Sequence, residues 1–192
     1  RMHGLYLSRK CDDIISLAQK LLGMHCWFSR NVVFSALIRG AGLGGWKTAL
    51  TKTWLYRGTL HGVSENDLRL LLSLHSDDLC EWLLEPKKLD ELAKKVISLM
   101  EDGVYSRAQM RRIFADELDE QTIERVFSPW GGIFVYLAKK GMVAFRNMTS
   151  RDFDLIDAQP FQTQNEVLPE ILHRFFESYG PATASDAAWF LG

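Results

Sequence analysis

Twice along this 192-residue chain, short amphipathic helical runs give way to β-rich residues, and towards its end a third such succession begins. KCDDIISLAQKLLG carries apolar residues at helical spacing and closes on Gly23 as a C-cap. SRNVVFSALIRG predicts a second helix capped by Ser29, AGLGG a turn, and WKTALTKT a third short helix. TWLYRGTLHGV then alternates as a strand does. Leu55, Arg57, Thr59, His61 and Val63 fall on one face, with Trp54, Tyr56 and Leu60 on the other. SENDLRLLLSLHSDDLCEWLL predicts a closing helix, with Ser64 and Asp67 in an S-x-x-D cap and a core stripe of Leu68, Leu71, Leu72 and Leu79.

Glu85-Pro86-Lys87-Lys88 reads as a linker, and the succession starts again. LDELAKKVISLMEDG stops at Gly103, and a helix starts at Ser106 in VYSRAQMRRIFADEL. DEQTIERVF follows, then SPWGGIFVYLAKKG, with Ser128 as N-cap, Pro129 at N1 and Gly141 at C′. MVAFRNMTSRDFDLID predicts a hairpin around Asn147-Met148-Thr149-Ser150. LPEILHRFFESYG and a helix from Thr183 or Ser185 begin a third set. Helices followed by a β-hairpin are the order of a winged helix, a helix-turn-helix variant. The expected fold is therefore mainly α with small β-hairpin wings, as tandem winged-helix domains. The expected units are residues 1–85, residues 86–160, and a truncated third over residues 166–192.

Net charge is −1, which alone does not suggest a nucleic-acid binder. Its distribution does. No Asp or Glu occurs from Ile14 to Ser64, where Lys20, Arg30, Arg39, Lys47, Lys52 and Arg57 fall. The same holds from Arg125 to Arg151, across Lys139, Lys140 and Arg146. Segregated charge of this kind gives a basic face on a neutral protein and attracts phosphates. Arg30, Lys47, Lys52, Arg107, Arg111, Arg112, Arg146 and Arg151 are the candidate DNA contacts. Arg107 and Arg111 share a helix face at i, i+4, although pairing with Glu or Asp would consume either.

Cys11, Cys26 and Cys80 lie far apart, with no CxxC and no zinc-ligand spacing, so no metal and no disulfide framework is expected. No apolar run approaches the ~18 residues of a membrane span, and the first residues lack the apolar core of a secretory signal. A reduced, cytoplasmic protein is expected, nucleoid-associated if its host is bacterial.

Between the first two helices lies His25-Cys26-Trp27. A neutral imidazole can orient or deprotonate a water. An indole offers one N–H and no acceptor, but it can stack on an exposed base. Equally, Trp27 beside an apolar helix reads as core, His25 as a structural hydrogen-bonding group, and Cys26 as a small buried hydrophobe. A Cys–His nucleophilic pair does not follow from adjacency, because neighbouring loop side chains often diverge.

Three stretches together resemble the AlkZ-like DNA glycosylases, a winged-helix family. They are GMHCWFSRNVVFSALIRG with Gly23 and Arg39 in place, TWLYRGTLHGVSENDL with its Arg57-to-His61 run, and YGPATASDAAWFLG. The resemblance implies a monomer of three winged helices around double-stranded DNA, excising alkylated bases without metal or nucleotide cofactor. It also implies that most of the third domain is missing here. The resemblance implies a catalytic motif of Gln-x-Gln, or a variant opening with His or Gln and closing with an acid, placed directly after a Gly-x pair. That places His25 at the first catalytic position and Trp27 at the second, where Trp departs from the pattern. Arg57, Thr59 and His61 would support the same cleft. The functional expectation is a DNA-repair glycosylase acting on alkylated bases. The alternatives are a DNA-binding protein without catalysis (a lesion sensor or transcription regulator) and a protein-interaction module.

Overall fold

The computed structural model describes residues 6–7, 10–74, 80, 83–103, 106–160 and 162–192. The chain is mostly helical around one small antiparallel sheet. In order it forms α1 (Ile14–Lys20), β1 (Met24–His25), α2 (Ser29–Leu37), β2 (Thr51–Trp54), β3 (Leu60–Val63) and α3 (Glu65–Leu72). Then come α4 (Pro86–Glu101), α5 (Arg107–Ile113), α6 (Glu120–Val126), α7 (Ile133–Lys139), β4 (Val143–Phe145) and β5 (Phe153–Leu155). The chain closes with α8 (Gln164–Tyr179) and α9 (Ala184–Leu191).

The helices sit where their caps dictate. Asp13 caps α1, Ser64 caps α3, and Ser106 forms a capping box with Gln109 at the start of α5. The strand order is β1-β3-β2-β4-β5. The two hairpins, β2–β3 and β4–β5, meet through the Lys52↔Phe145 pair and so share one sheet. The larger core lies beneath it, where Phe134, Phe145, Phe153 and Trp54 pack ring to ring. A second core joins Leu68, Leu71 and Leu72 of α3 to Ile171 and Phe175 of α8. Leu79, and the expected continuation of α3 across residues 75–79 and 81–82, lie outside the described residues.

Several local expectations are corrected. WKTALTKT is not a helix: turns lead into β2 at Thr51, where Thr51, Thr53 and Trp54 favour extended backbone. TWLYRGTLHGV is not one strand but a hairpin, because Arg57 (φ 56°) and Gly58 (φ 60°) turn the chain between β2 and β3. Phe28, not Ser29, is the N-cap of α2, and it makes no side-chain cap bond. Glu85-Pro86-Lys87-Lys88 is the first turn of α4, with Pro86 in the opening position that suits its missing N–H.

SPWGG precedes α7 rather than starting it. Gly132 (φ 57°) passes so close to Val126 that a Cβ would lie 1.9 Å from its carbonyl oxygen. The α8 helix begins at Gln164, earlier than expected, on a Thr163–Glu166 capping box.

Candidate functional site

The residues after α1 form an edge strand, not the loop expected for them. Leu22 (φ 55°) and Gly23 (φ 98°) reverse the chain, and a Cβ at Gly23 would meet Val63 Cγ1 at 3.0 Å. Met24 and His25 then pair with Gly62 and His61, and the Cys26 N–H extends the ladder by donating to the Leu60 carbonyl at 2.8 Å. Strand alternation sends Met24 and Cys26 into the core and turns His25 and Trp27 to the opposite side. Burial pushes the Cys26 thiol up to about 12, so it is no nucleophile at neutral pH.

The position of this strand is fixed from the far end of the chain. Arg174 donates to the Gln19 carbonyl at 2.6 Å, Ser178 to that of Lys20, and Tyr179 to that of Leu21 at 2.8 Å. The Tyr56 hydroxyl donates to the Leu22 carbonyl. The last carbonyls of a helix have no partner within it. Here successive ones are taken by side chains of α8 and of the first hairpin. Arg174 also grips Asp67 of α3 through two bonds, at 2.9 and 2.8 Å.

His61 lies buried behind His25, its ring 5.9 Å away and nearly perpendicular. Its Nδ1–H donates to the Thr59 carbonyl at 3.0 Å, which leaves Nε2 as an acceptor. Burial, with smaller effects from His25 and Arg57, lowers its pKa to about 4, so the ring is neutral at pH 7. Unfolding frees it to bind a proton below about pH 6.5. Its contribution is thus full above that pH and fades as the pH falls towards 4, reaching a loss of about 3 kcal/mol. Urea titrations at pH 7.5 and 4.5 are expected to show a larger stability drop in wild type than in His61→Gln. Equal drops would refute the neutral ring.

Arg57, Thr59 and His61 do not share a strand face, because the hairpin turn intervenes. Arg57 lies at that turn with its guanidinium over the Trp189 ring at 4.7 Å, and Thr59 Oγ1 donates to the Tyr56 carbonyl at 3.3 Å.

A cleft of about 730 Å³ opens where the two hairpins and α5 meet, lined among others by Trp27, Lys52, Arg107, Arg111, Trp130 and Arg151. His25 is not among its lining residues. Trp27 stacks on Trp130, with centroids 5.6 Å apart and planes 17° from parallel. Lys52 is buried and holds its ammonium 4.5 Å from the Phe145 ring; burial lowers its pKa. The Arg107 guanidinium lies over Phe134 and Phe153, and burial brings its pKa down to about 10.

Arg107 and Arg111 do reach the same cleft, but Arg111 is paired with Glu124. Of the remaining cations predicted to meet DNA, Arg146 pairs with Asp154 at 2.9 Å and Arg30 lies over Phe28 at 5.0 Å. Lys47 and Arg112 are exposed away from the cleft lining. Trp130, 71% exposed, was missed by sequence reasoning. Its signal was an aromatic residue in a Pro-x-Gly-Gly turn, where nothing calls for an apolar side chain. Among the described residues no three His, Cys, Asp or Glu side chains gather as a metal site would need, and no helix is long and apolar enough to cross a membrane.

Comparison with known proteins places these features in context. Residues 47–192 match the family model described as DNA glycosylase AlkZ-like; His25 and Trp27 precede the matched stretch. An interstrand DNA cross-link repair glycosylase of Streptomyces sahachiroi is 28% identical over 153 residues, 70% of this chain and 41% of that protein. The solved structure of Streptomyces sahachiroi DNA glycosylase AlkZ superposes on the whole chain with a TM-score of 0.76, at 24% identity and over 58% of its own length. The chain thus spans about half the length of these relatives.

Proposed function

Because the chain belongs to the AlkZ-like DNA glycosylase family, we propose that it is a tandem winged-helix protein that hydrolyses the N-glycosidic bond of alkylated bases in double-stranded DNA. In this reading β2–β3 and β4–β5 are wings, residues 1–85 and 86–160 two units, and residues 166–192 the start of a third. The protein acts as a monomer in the cytoplasm, on the nucleoid where its host is bacterial.

The observation that carries the reading is the edge strand. It exposes His25, the residue that the family resemblance assigns to the first catalytic position, and holds Trp27 on the same side against a cationic, aromatic cleft. An N7-alkylated guanine carries a positive charge, so its base departs neutral without a general acid. His25 takes a proton from the attacking water as the water oxygen bonds C1′. The C1′–N9 electron pair leaves with the base, through an oxocarbenium-like sugar. Trp27 meets the cationic base through its ring face.

A second reading, binding without base release, is favoured by Trp27 itself, which supplies no acceptor for the sugar cation. The two are separated by a single-turnover assay with a duplex carrying N7-methylguanine, scored for abasic sites. Abasic sites formed by wild type support the glycosylase. Tight, salt-sensitive duplex binding without them leaves the binding-only reading.

A further inference from the structure

The cleft between the hairpins is rich in donors that lack acceptors. Arg107 Nε and Nη2 are buried without a partner, and no carboxylate pairs with this guanidinium among the described residues. Trp54 Nε1, which also borders the cleft, is buried and unpartnered. Lys52 meets an aromatic face rather than an anion. Against these the cleft lining offers, among the described residues, one carboxylate, Asp152, and the Arg111 cation is already neutralised by Glu124. An unpaired buried cation is costly and calls for a missing acceptor. The aromatic Trp27–Trp130 pair lies in the same cleft, and Trp130 presents most of its surface to solvent.

The geometry points to a nucleotide site: the cleft takes one unstacked nucleotide of a DNA strand, its base on the Trp27–Trp130 pair and its phosphate on Arg107 and Lys52. The volume of about 730 Å³ suits a ligand of that size. Base–aromatic stacking tolerates any base, whereas the guanidinium selects for the phosphate. The assignment rests on the DNA-binding reading only for the source of the nucleotide; it requires no catalysis.

Tryptophan quenching by deoxyguanosine monophosphate (dGMP), deoxyguanosine and the trinucleotide d(TGT) tests it. Wild type is expected to bind dGMP about tenfold more tightly than the nucleoside, and d(TGT) more tightly still. Arg107→Met is expected to erase the preference for dGMP while leaving the thermal midpoint unchanged or higher, since a buried unpaired charge is removed. Trp130→Ala, at an exposed position, weakens dGMP and the nucleoside alike. A purely structural Arg107 would do the reverse: a lower midpoint with the preference intact overturns the proposal, as does absence of quenching by dGMP. If d(TGT) binds no better than dGMP, the site holds but takes a free nucleotide. Because dGMP carries no lesion, the outcome is independent of base release. Quenching without abasic sites removes the glycosylase and keeps the site, and abasic sites without quenching do the opposite.

Discussion

His25→Ala is expected to release N7-methylguanine ~100-fold or more slower than wild type in single turnover, with duplex affinity unchanged. The proposed role of His25 is confined to the transition state. It holds and deprotonates one water, so its loss lowers the rate constant without touching the phosphate contacts. Its partner His61 cannot take over, because that ring is buried and burial makes it a weak base, with a pKa lowered to about 4. His25→Gln keeps an acceptor at the same place on the edge strand and is expected to recover part of the loss. A His25→Ala rate within about threefold of wild type would remove His25 from the chemistry.

Arg174→Ala is expected to destabilise the fold by about 3 kcal/mol, read as a shift in the urea midpoint. The side chains of Arg174 and Asp67 are only 19% and 10% exposed. Removing the guanidinium leaves the Asp67 carboxylate without its two charge-assisted bonds and the Gln19 carbonyl with the Leu22 N–H alone. Arg174→Lys restores less than half, because an ammonium cannot make the paired contact to Asp67 and still reach Gln19. Replacing both partners by apolar residues, Asp67→Leu with Arg174→Met, is expected to be milder than Arg174→Ala alone, since no charge is then stranded. A loss below about 1 kcal/mol in Arg174→Ala would mean that the pair is solvated like an ordinary surface bridge.

What was legible in the sequence was whatever is decided locally. Ser106 with Gln109, Asp119 before α6, and Asn147 at the tip of the second hairpin each close their own hydrogen bonds within a few residues. The predicted hairpin and the helices from Ser106 to Val126 accordingly lie close to where the spacing puts them. The first hairpin was misread because Arg57 supplies a left-handed turn residue where glycine or asparagine is the usual signal. A two-residue strand such as Met24–His25 has no periodicity to detect; only its pairing with His61 and Gly62 defines it.

Arg107 was placed on the right face, but helical phase cannot tell an exposed cation from one lying over Phe134 and Phe153. Trp130 acquires its meaning from Trp27, far away in sequence. Trp27, Lys52, Arg107, Arg111 and Arg151 line one cleft, but the relations among them are tertiary and cannot be read from spacing.

The pairing of Lys52 with Phe145 is also where the floor of the cleft is joined, since Lys52 rests on the Phe145 ring and both border that space. Neither hairpin owns the cavity. A hairpin excised from the chain would carry only part of that floor and part of the cations, whatever its own stability. Joining the two hairpins in one sheet therefore adds something that neither has alone: a surface that exists only at the seam. Variation in what the cleft accepts is then expected to arise at the positions where the two hairpins meet, rather than within either hairpin.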